Sequence, residues 1–235
     1  MEKVELNADF SKRASAHGSK IDWLASPMKG VERRMLERIG DEVARATTIV
    51  RYAPRSKFSA HIHTGGEEFL VLDGVFQDEP GDFPQGTYVR NPPNSRHTPG
   101  SDNGCTILVK LWQMEMTDQT HVIVDTNKIG LHHVVGRDHA AIASLFNDGR
   151  EDVRIERWDA RQTIAFTPDG GIEFFVIEGA FEENGETFNR HSWLRLPVGN
   201  HFDARAGDEG ALVLVKEGHL AKLEREAYAT MKKQA

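Results

Sequence analysis

The chain contains a single cysteine, Cys105, among 235 residues. It can therefore form no disulfide within itself and no cysteine-based zinc finger, so a bound metal would have to be held by histidine and carboxylate groups. Long apolar runs are missing too. A stretch such as Ala211-Leu212-Val213-Leu214-Val215 falls far short of a bilayer span, and Met1-Glu2-Lys3-Val4-Glu5 has no apolar signal core. A cytoplasmic protein with no membrane contact is the expectation. Positive charge is also short, with 29 Lys and Arg against 36 Asp and Glu for a net charge of -7. Nucleic-acid backbones demand clustered cations, so no nucleic-acid partner is expected. The remainder, 39% hydrophobic and 28% charged, is an ordinary globular mixture, long enough for one large or two small domains.

What is present centres on His61-Ile62-His63-Thr64-Gly65-Gly66-Glu67-Glu68-Phe69-Leu70-Val71-Leu72-Asp73-Gly74. Side chains of an extended strand alternate between faces, so His61 and His63 share one face and can reach a common point. Thr64-Gly65-Gly66 allows a tight turn, and Glu67 then returns a carboxylate to the pair. A second element is Gly86-Thr87-Tyr88-Val89-Arg90-Asn91-Pro92-Pro93-Asn94-Ser95-Arg96-His97. The two spacings, His-x-His-x3-Glu-x6-Gly and Gly-x5-Pro-x4-His, resemble the two motifs of the cupin superfamily. That resemblance implies a double-stranded β-helix barrel holding one divalent metal through His61, His63, Glu67 and His97. Asn94 stands where the cupin pattern has glycine, and asparagine also tolerates the left-handed region.

The second half of the chain repeats the first. Gly65-Gly66-Glu67-Glu68-Phe69-Leu70-Val71-Leu72-Asp73-Gly74-Val75-Phe76 aligns with Gly170-Gly171-Ile172-Glu173-Phe174-Phe175-Val176-Ile177-Glu178-Gly179-Ala180-Phe181 at an offset of 105. The same offset carries Tyr88 onto Trp193, Arg90 onto Arg195 and Pro92 onto Pro197, and an offset of 106 carries Lys110 onto Lys216. An internal duplication is the reading. The expected fold is all-β: two tandem cupin (jelly-roll) barrels with a short C-terminal helix, the metal-binding barrel over 1–118 and a degenerate one over 119–235. The helix is suggested by Leu220, Leu223, Ala227 and Met231 at helical spacing. Under the repeat, His61, His63, Glu67 and His97 land on Phe166, Pro168, Ile172 and Phe202. All four are apolar, so the second barrel should have lost its metal and filled the space with side chains. His201, one residue off, lacks partners, and no second metal is expected.

Along the first half, strands are expected near Ala46–Tyr52, Phe58–His63, Phe69–Leu72, Tyr88–Arg90 and Thr106–Trp112, where β-branched and aromatic residues lie between Gly, Pro, Asn and Asp turns. Residues 1–20 read as a loose lead-in. Cys105 shares a face with Ile107, Val109 and Leu111, pointing inward as a small hydrophobe. Glu68, whose counterpart Glu173 survives in the half that lost its ligands, should serve the fold, and Glu67 the metal. His121, His132, His133, His139 and His219 match no motif and are expected as surface or capping residues.

A closer resemblance is to the cupin domain of ChrR-type anti-ECF-sigma factors. It rests on Arg51-Tyr52-Ala53-Pro54, on His61 through Glu79 and on Gly86-Thr87-Tyr88-Val89-Arg90-x-Pro92 and Gly104-Cys105. It implies zinc at the four matched positions, with Fe, Mn or Ni compatible with the same ligands, and a signal-receiving role in transcriptional stress regulation. ChrR-type proteins hold their sigma factor with an N-terminal helical zinc module. Here about twenty residues precede the cupin and no Cys pair exists, so sigma binding through such a module is not expected. Two functions are carried forward: a ligand- or redox-responsive regulatory module, acting as a homodimer or on a partner protein, and a metal-dependent oxygenase acting on a small diketone or phenolic substrate.

Overall fold

The computed structural model describes residues 4–41, 43–136, 140–221 and 223. Their regular structure is strand apart from one 3-10 turn, Gly18–Lys20. Each expected strand of the first half is present, with shifted ends: Ala44–Tyr52, His61–His63, Glu67–Asp78, Thr87–Asn91 and Cys105–Leu111. Ser59 and Ala60 fall outside strands, so the stretch expected over 58–63 is split into Ser56–Lys57 and His61–His63. Of the expected terminal helix over 219–231, only 219–221 and 223 are among the described residues, and 219–221 form a turn; the rest lies outside them.

The first unit is one antiparallel sheet in the order Val4–Leu6, Val31–Gly40, Ala44–Tyr52, Cys105–Leu111, Glu67–Asp78, Thr87–Asn91, Val122–Asp125. A separate ribbon pairs His61–His63 with Ser95–His97. Its interior is built by the alternation of strands, which puts Phe69, Val71, Val89, Cys105, Ile107 and Val109 on one side. The opposite face of the same strands carries a buried polar group: the Tyr88 hydroxyl donates to Glu68 at 2.8 Å and Lys110 Nζ to Thr47 at 3.0 Å.

The second unit repeats the arrangement, in the order His132–His133, Ala141–Asn147, Asp152–Trp158, Phe202–Glu217, Ile172–Glu183, Ser192–Leu196, Ala14–His17. Here the repeat is legible atom by atom. Trp193 Nε1 donates to Glu173 at 2.9 Å, as Tyr88 does to Glu68, so the donor chemistry is kept while the side chain changes. Gly74 and Gly179 both adopt left-handed backbone, with φ of 72° and 70°. A Cβ at either would lie 2.2 or 2.1 Å from the carbonyl oxygen of Gly104 or Gly210, which is why glycine ends this motif in both halves.

Two expectations are corrected. The described part of residues 1–20 is not a loose lead-in: Val4–Leu6 pairs with Val31–Gly40, and Ala14–His17 pairs with Ser192–Leu196. Their polar composition hid this, because the edge strand is fastened by charge. Arg13 contacts Glu183 at 2.6 Å and Glu186 at 2.5 Å, while His17 Nε2 meets Glu186 at 2.8 Å. The division into units is likewise not a single cut after residue 118. Ile21–Lys128 belongs with the first unit and Asp9–Lys20 with the second, because the last strand of each sheet comes from outside the repeat that it completes.

Candidate metal centre

The Thr64-Gly65-Gly66 turn is closed by a Gly66 N–H donating to the His63 carbonyl at 3.1 Å, and it returns the chain at Glu67 into the long strand. The same carbonyl accepts from the Asn94 amide at 2.8 Å. Asn94 adopts φ of 68°, so it does occupy the left-handed position that glycine takes in the cupin pattern, and its counterpart Gly199 has φ of 83°. His61 and His97 face each other as a cross-strand pair.

These elements bring His61, His63 and His97 together. Their ring centroids lie 4.7, 5.0 and 4.7 Å apart in edge-on pairs, and one ligand nitrogen from each falls within 4.8 Å of the others. Among the described residues no other group of three potential ligands is found. His63 Nε2 and His97 Nε2 are 2.9 Å apart. Glu67 Oε2 lies 3.4 Å from the first and 3.7 Å from the second. Donors bound at ~2.0–2.1 Å to a common ion sit about 2.8–3.4 Å from one another in octahedral or tetrahedral geometry, so the 2.9 and 3.4 Å separations suit a transition-metal ion, and the 3.7 Å one would have to shorten slightly.

The proton positions agree with that use. His97 Nδ1 bonds to Asp78 Oδ2 at 3.2 Å and His61 Nδ1 to the Ser59 carbonyl at 3.1 Å. A backbone carbonyl only accepts and a carboxylate accepts from an N–H, so in the neutral rings both Nδ1 atoms carry the hydrogen and both Nε2 atoms present a lone pair. Burial lowers the pKa of His63, with the neighbouring imidazoles adding to the effect against the pull of Glu67. Burial acts the same way on His97, but the Asp78 hydrogen bond and the carboxylates of Glu67, Asp78 and Glu79 outweigh it and raise that pKa. Burial, and then the Glu67 carboxylate, push the Tyr52 phenol up. His63, Glu67 and His97 are nearly buried, whereas His61 is more exposed, so the cluster is approached from the His61 side.

Two supporting groups were not singled out from sequence. Asn91 Nδ2 donates to Glu67 Oε2 at 3.3 Å, and Asn91 Oδ1 in turn faces His121 Nε2 at 3.1 Å. His121 is exposed, as expected, and also holds the amide that holds Glu67. The signal for Asn91 was available: under the repeat it becomes Leu196, a polar-to-apolar change of the same kind as at the four candidate ligand positions. Asp78 gave no such signal, because its counterpart Glu183 is also acidic and is used for a different pair, with Arg13. His219 departs from the expectation, being buried with Nε2 2.9 Å from Glu173. His132 and His133 are exposed, and His139 lies outside the described residues.

In the second unit the corresponding positions are closed. Phe166 pairs across the strands with Phe202, the same register that His61 and His97 occupy. Phe202 stacks on Phe174 at 4.2 Å, and Phe181, Phe188, Ile172 and Trp158 complete the filling. His201 stands apart, exposed and 3.0 Å from the Thr167 hydroxyl.

Cys105 is buried among Phe69, Val71 and Ile107. Burial pushes its thiol up to about 11. Its alkylation by iodoacetamide at pH 8 should therefore be roughly two orders of magnitude slower in the native protein than in denaturant, where a free thiol titrates near 8.5. Equal rates in time-resolved mass spectrometry would show the thiol to be exposed.

Comparison with known proteins agrees with this geometry. Residues 11–115 match the family model described as the ChrR cupin-like domain. No curated protein sequence matches the chain. Among solved structures, a candidate dioxygenase from Nostoc punctiforme is similar at 14% identity and a TM-score of 0.67, over 94% of this chain and 84% of that one. The Escherichia coli protein YlbA matches at 12% and 0.67, over 90% and 93%. The E. coli pirin YhhW in complex with nickel(II) matches at 14% and 0.59, over 88% and 98%. At such identities the likeness is one of fold.

Proposed function

From a chain that is a tandem cupin, and whose residues 11–115 resemble the ChrR cupin-like domain, we propose a metal-dependent regulatory module. One divalent ion, zinc foremost, is bound by His61, His63, Glu67 and His97, and the barrel around it responds to a small molecule or an oxidant by altering contacts with a protein partner or a second copy of the chain. The observation that carries the metal reading is the convergence of His63 Nε2 and His97 Nε2 to 2.9 Å beside a buried carboxylate. Left alone, such a cluster of buried polar groups is unfavourable; a cation resolves it. The ion would supply a Lewis-acidic centre there. The chain's own part is to hold the ligand protons away on Nδ1, fix Glu67 through Asn91, and leave the His61 side open. Among the described residues no helix is long and apolar enough to cross a membrane, and a cytoplasmic setting is part of the proposal.

A second reading, a metal-dependent oxygenase acting on a small diketone or phenolic compound, is favoured by that open side, since an exogenous ligand can approach the ion from it. The experiment that separates the two is metal analysis of protein purified without added metal, followed by oxygen-uptake assays on a diketone and phenolic panel. Stoichiometric zinc and no oxygen uptake supports the regulatory module. Bound iron with uptake on any member of the panel replaces it with the enzyme.

The support of Glu67 is testable by copying the second barrel. Asn91→Leu should weaken metal affinity about 10–100-fold, the usual cost of removing a hydrogen bond that orients a ligand, with the protein still folded. Competition titration against a chromophoric chelator reads this directly, and an unchanged affinity would remove Asn91 from the site.

A further inference from the structure

The sequence position just after the Cys105–Leu111 strand has a left-handed backbone in both units, and the two units fill it differently. In the second unit it is Gly218, with φ of 88°; in the first it is Trp112, with φ of 57°. The local bonding is otherwise the same. Gly218 N–H donates to the Gly171 carbonyl at 2.9 Å, and Trp112 N–H donates to the Gly66 carbonyl at 3.2 Å. Glycine occupies such a conformation without steric cost, whereas a bulky side chain is a marked outlier there. The first unit therefore tolerates a backbone penalty that its own duplicate avoids.

What the tryptophan gains is a place against the metal-site turn. A Cβ added to Gly65 would lie 2.1, 2.4 and 2.5 Å from three atoms of the Trp112 indole, and nothing else is nearer. Gly65 is not left-handed, so its lack of a side chain is demanded by the indole and not by the backbone. Beside it, a Cβ on Gly66 would meet Met114 Sδ at 2.6 Å. The turn between His63 and Glu67 is thus covered by an indole and a thioether, while its amide and carbonyl are tied to the His63 carbonyl and the Trp112 amide. In the unit whose ligands have become Pro168 and Ile172, the same turn meets Gly218 and Leu220 instead.

We propose that Trp112 is a positioning residue for the metal centre: its indole, pressed on Gly65, clamps the turn that sets His63 against Glu67. This rests on the metal reading given above and assigns a role to a residue outside the ligand set. The clamp acts through Gly65.

Cobalt(II) titration of the full chain tests it, with visible absorption reporting ligand geometry and thermal unfolding of the metal-free protein reporting the fold. Trp112→Gly, which copies the second unit, should weaken Co²⁺ binding about tenfold or more and alter the d–d bands, without lowering the metal-free unfolding temperature. Trp112→Phe, which keeps a ring over Gly65, should bind nearly as the natural protein does. Gly65→Ala drives a methyl into the indole and should give the same loss, and adding Gly65→Ala to Trp112→Gly should cost little more. Unchanged affinity and bands in both Trp112→Gly and Gly65→Ala would overturn the proposal, as would a Trp112→Phe variant no better than Trp112→Gly. If Trp112→Gly fails to fold, the Gly65→Ala titration decides alone. Failure of the natural chain to take up one Co²⁺ sinks the metal reading and this inference with it, whereas normal uptake with unaffected variants sinks this inference only.

Discussion

Replacing His63 and His97 together by alanine should abolish stoichiometric metal binding, the largest functional effect expected of any small change in this chain. The two residues supply the closest nitrogen pair of the cluster, 2.9 Å apart, and both are nearly buried. Without them His61 and Glu67 remain, one of them the more exposed ring, and two ligands do not hold an ion against competing water and chelator. Loss of the ion also has a stability readout. A ligand at a thousandfold excess over its dissociation constant stabilises the native state by about 4.1 kcal/mol, so the natural protein should melt several degrees higher with metal than without. In the double variant that difference should vanish. Calorimetry with and without added zinc, together with elemental analysis, measures both quantities. A variant that kept a full equivalent of metal would place the site elsewhere.

The second large effect concerns stability alone. Phe202→Ala should destabilise the protein by about 3–5 kcal/mol, a large share of the roughly 5–15 kcal/mol that holds a typical domain together. Phe202 is fully buried, stacks on Phe174 and touches Phe166, Phe181 and Trp158, so truncation leaves a cavity walled by rigid rings that cannot collapse into it. The equivalent position in the first unit is His97, a candidate ligand. One position thus carries a candidate ligand in one barrel and a packed ring in its duplicate. Chemical denaturation should show a lower midpoint, while the folded variant still binds one equivalent of metal. A change below 1 kcal/mol would mean that the phenylalanine cluster is not the packed interior described above.

Much of this was legible in the sequence for a specific physical reason. Strand alternation decides which residues share a face, so Glu67 and Glu68 could be assigned opposite roles from parity, and Tyr88 does hold Glu68 on the far side. Duplication then acted as an internal control. The replacement of His61 and His97 by Phe166 and Phe202 is visible in the text, and the structure shows those pairs in one cross-strand register. What escaped had no periodic signal. Ala14–His17 is an edge strand fastened by ion pairs from Arg13 and His17 to Glu183 and Glu186, which lie about 170 residues away in sequence, and its four small or polar residues are too short a run to give a periodic signal. Asp78 and His121 act through single hydrogen bonds between distant segments, and spacing along the chain does not record such contacts. Trp112 was placed in a strand because aromatic residues favour one, yet it ends the strand with a left-handed turn that the glycine in the duplicate would have announced.

The claim on which the rest depends is that three imidazoles and one carboxylate of the first barrel share a single ion. X-ray absorption at the metal edge, on protein purified without added metal, bears on it most directly. One ion per chain is expected, with three imidazole nitrogens and a carboxylate oxygen at about 2.0–2.2 Å and no sulfur neighbour. A shell containing sulfur, or one with fewer than two imidazoles, would contradict it.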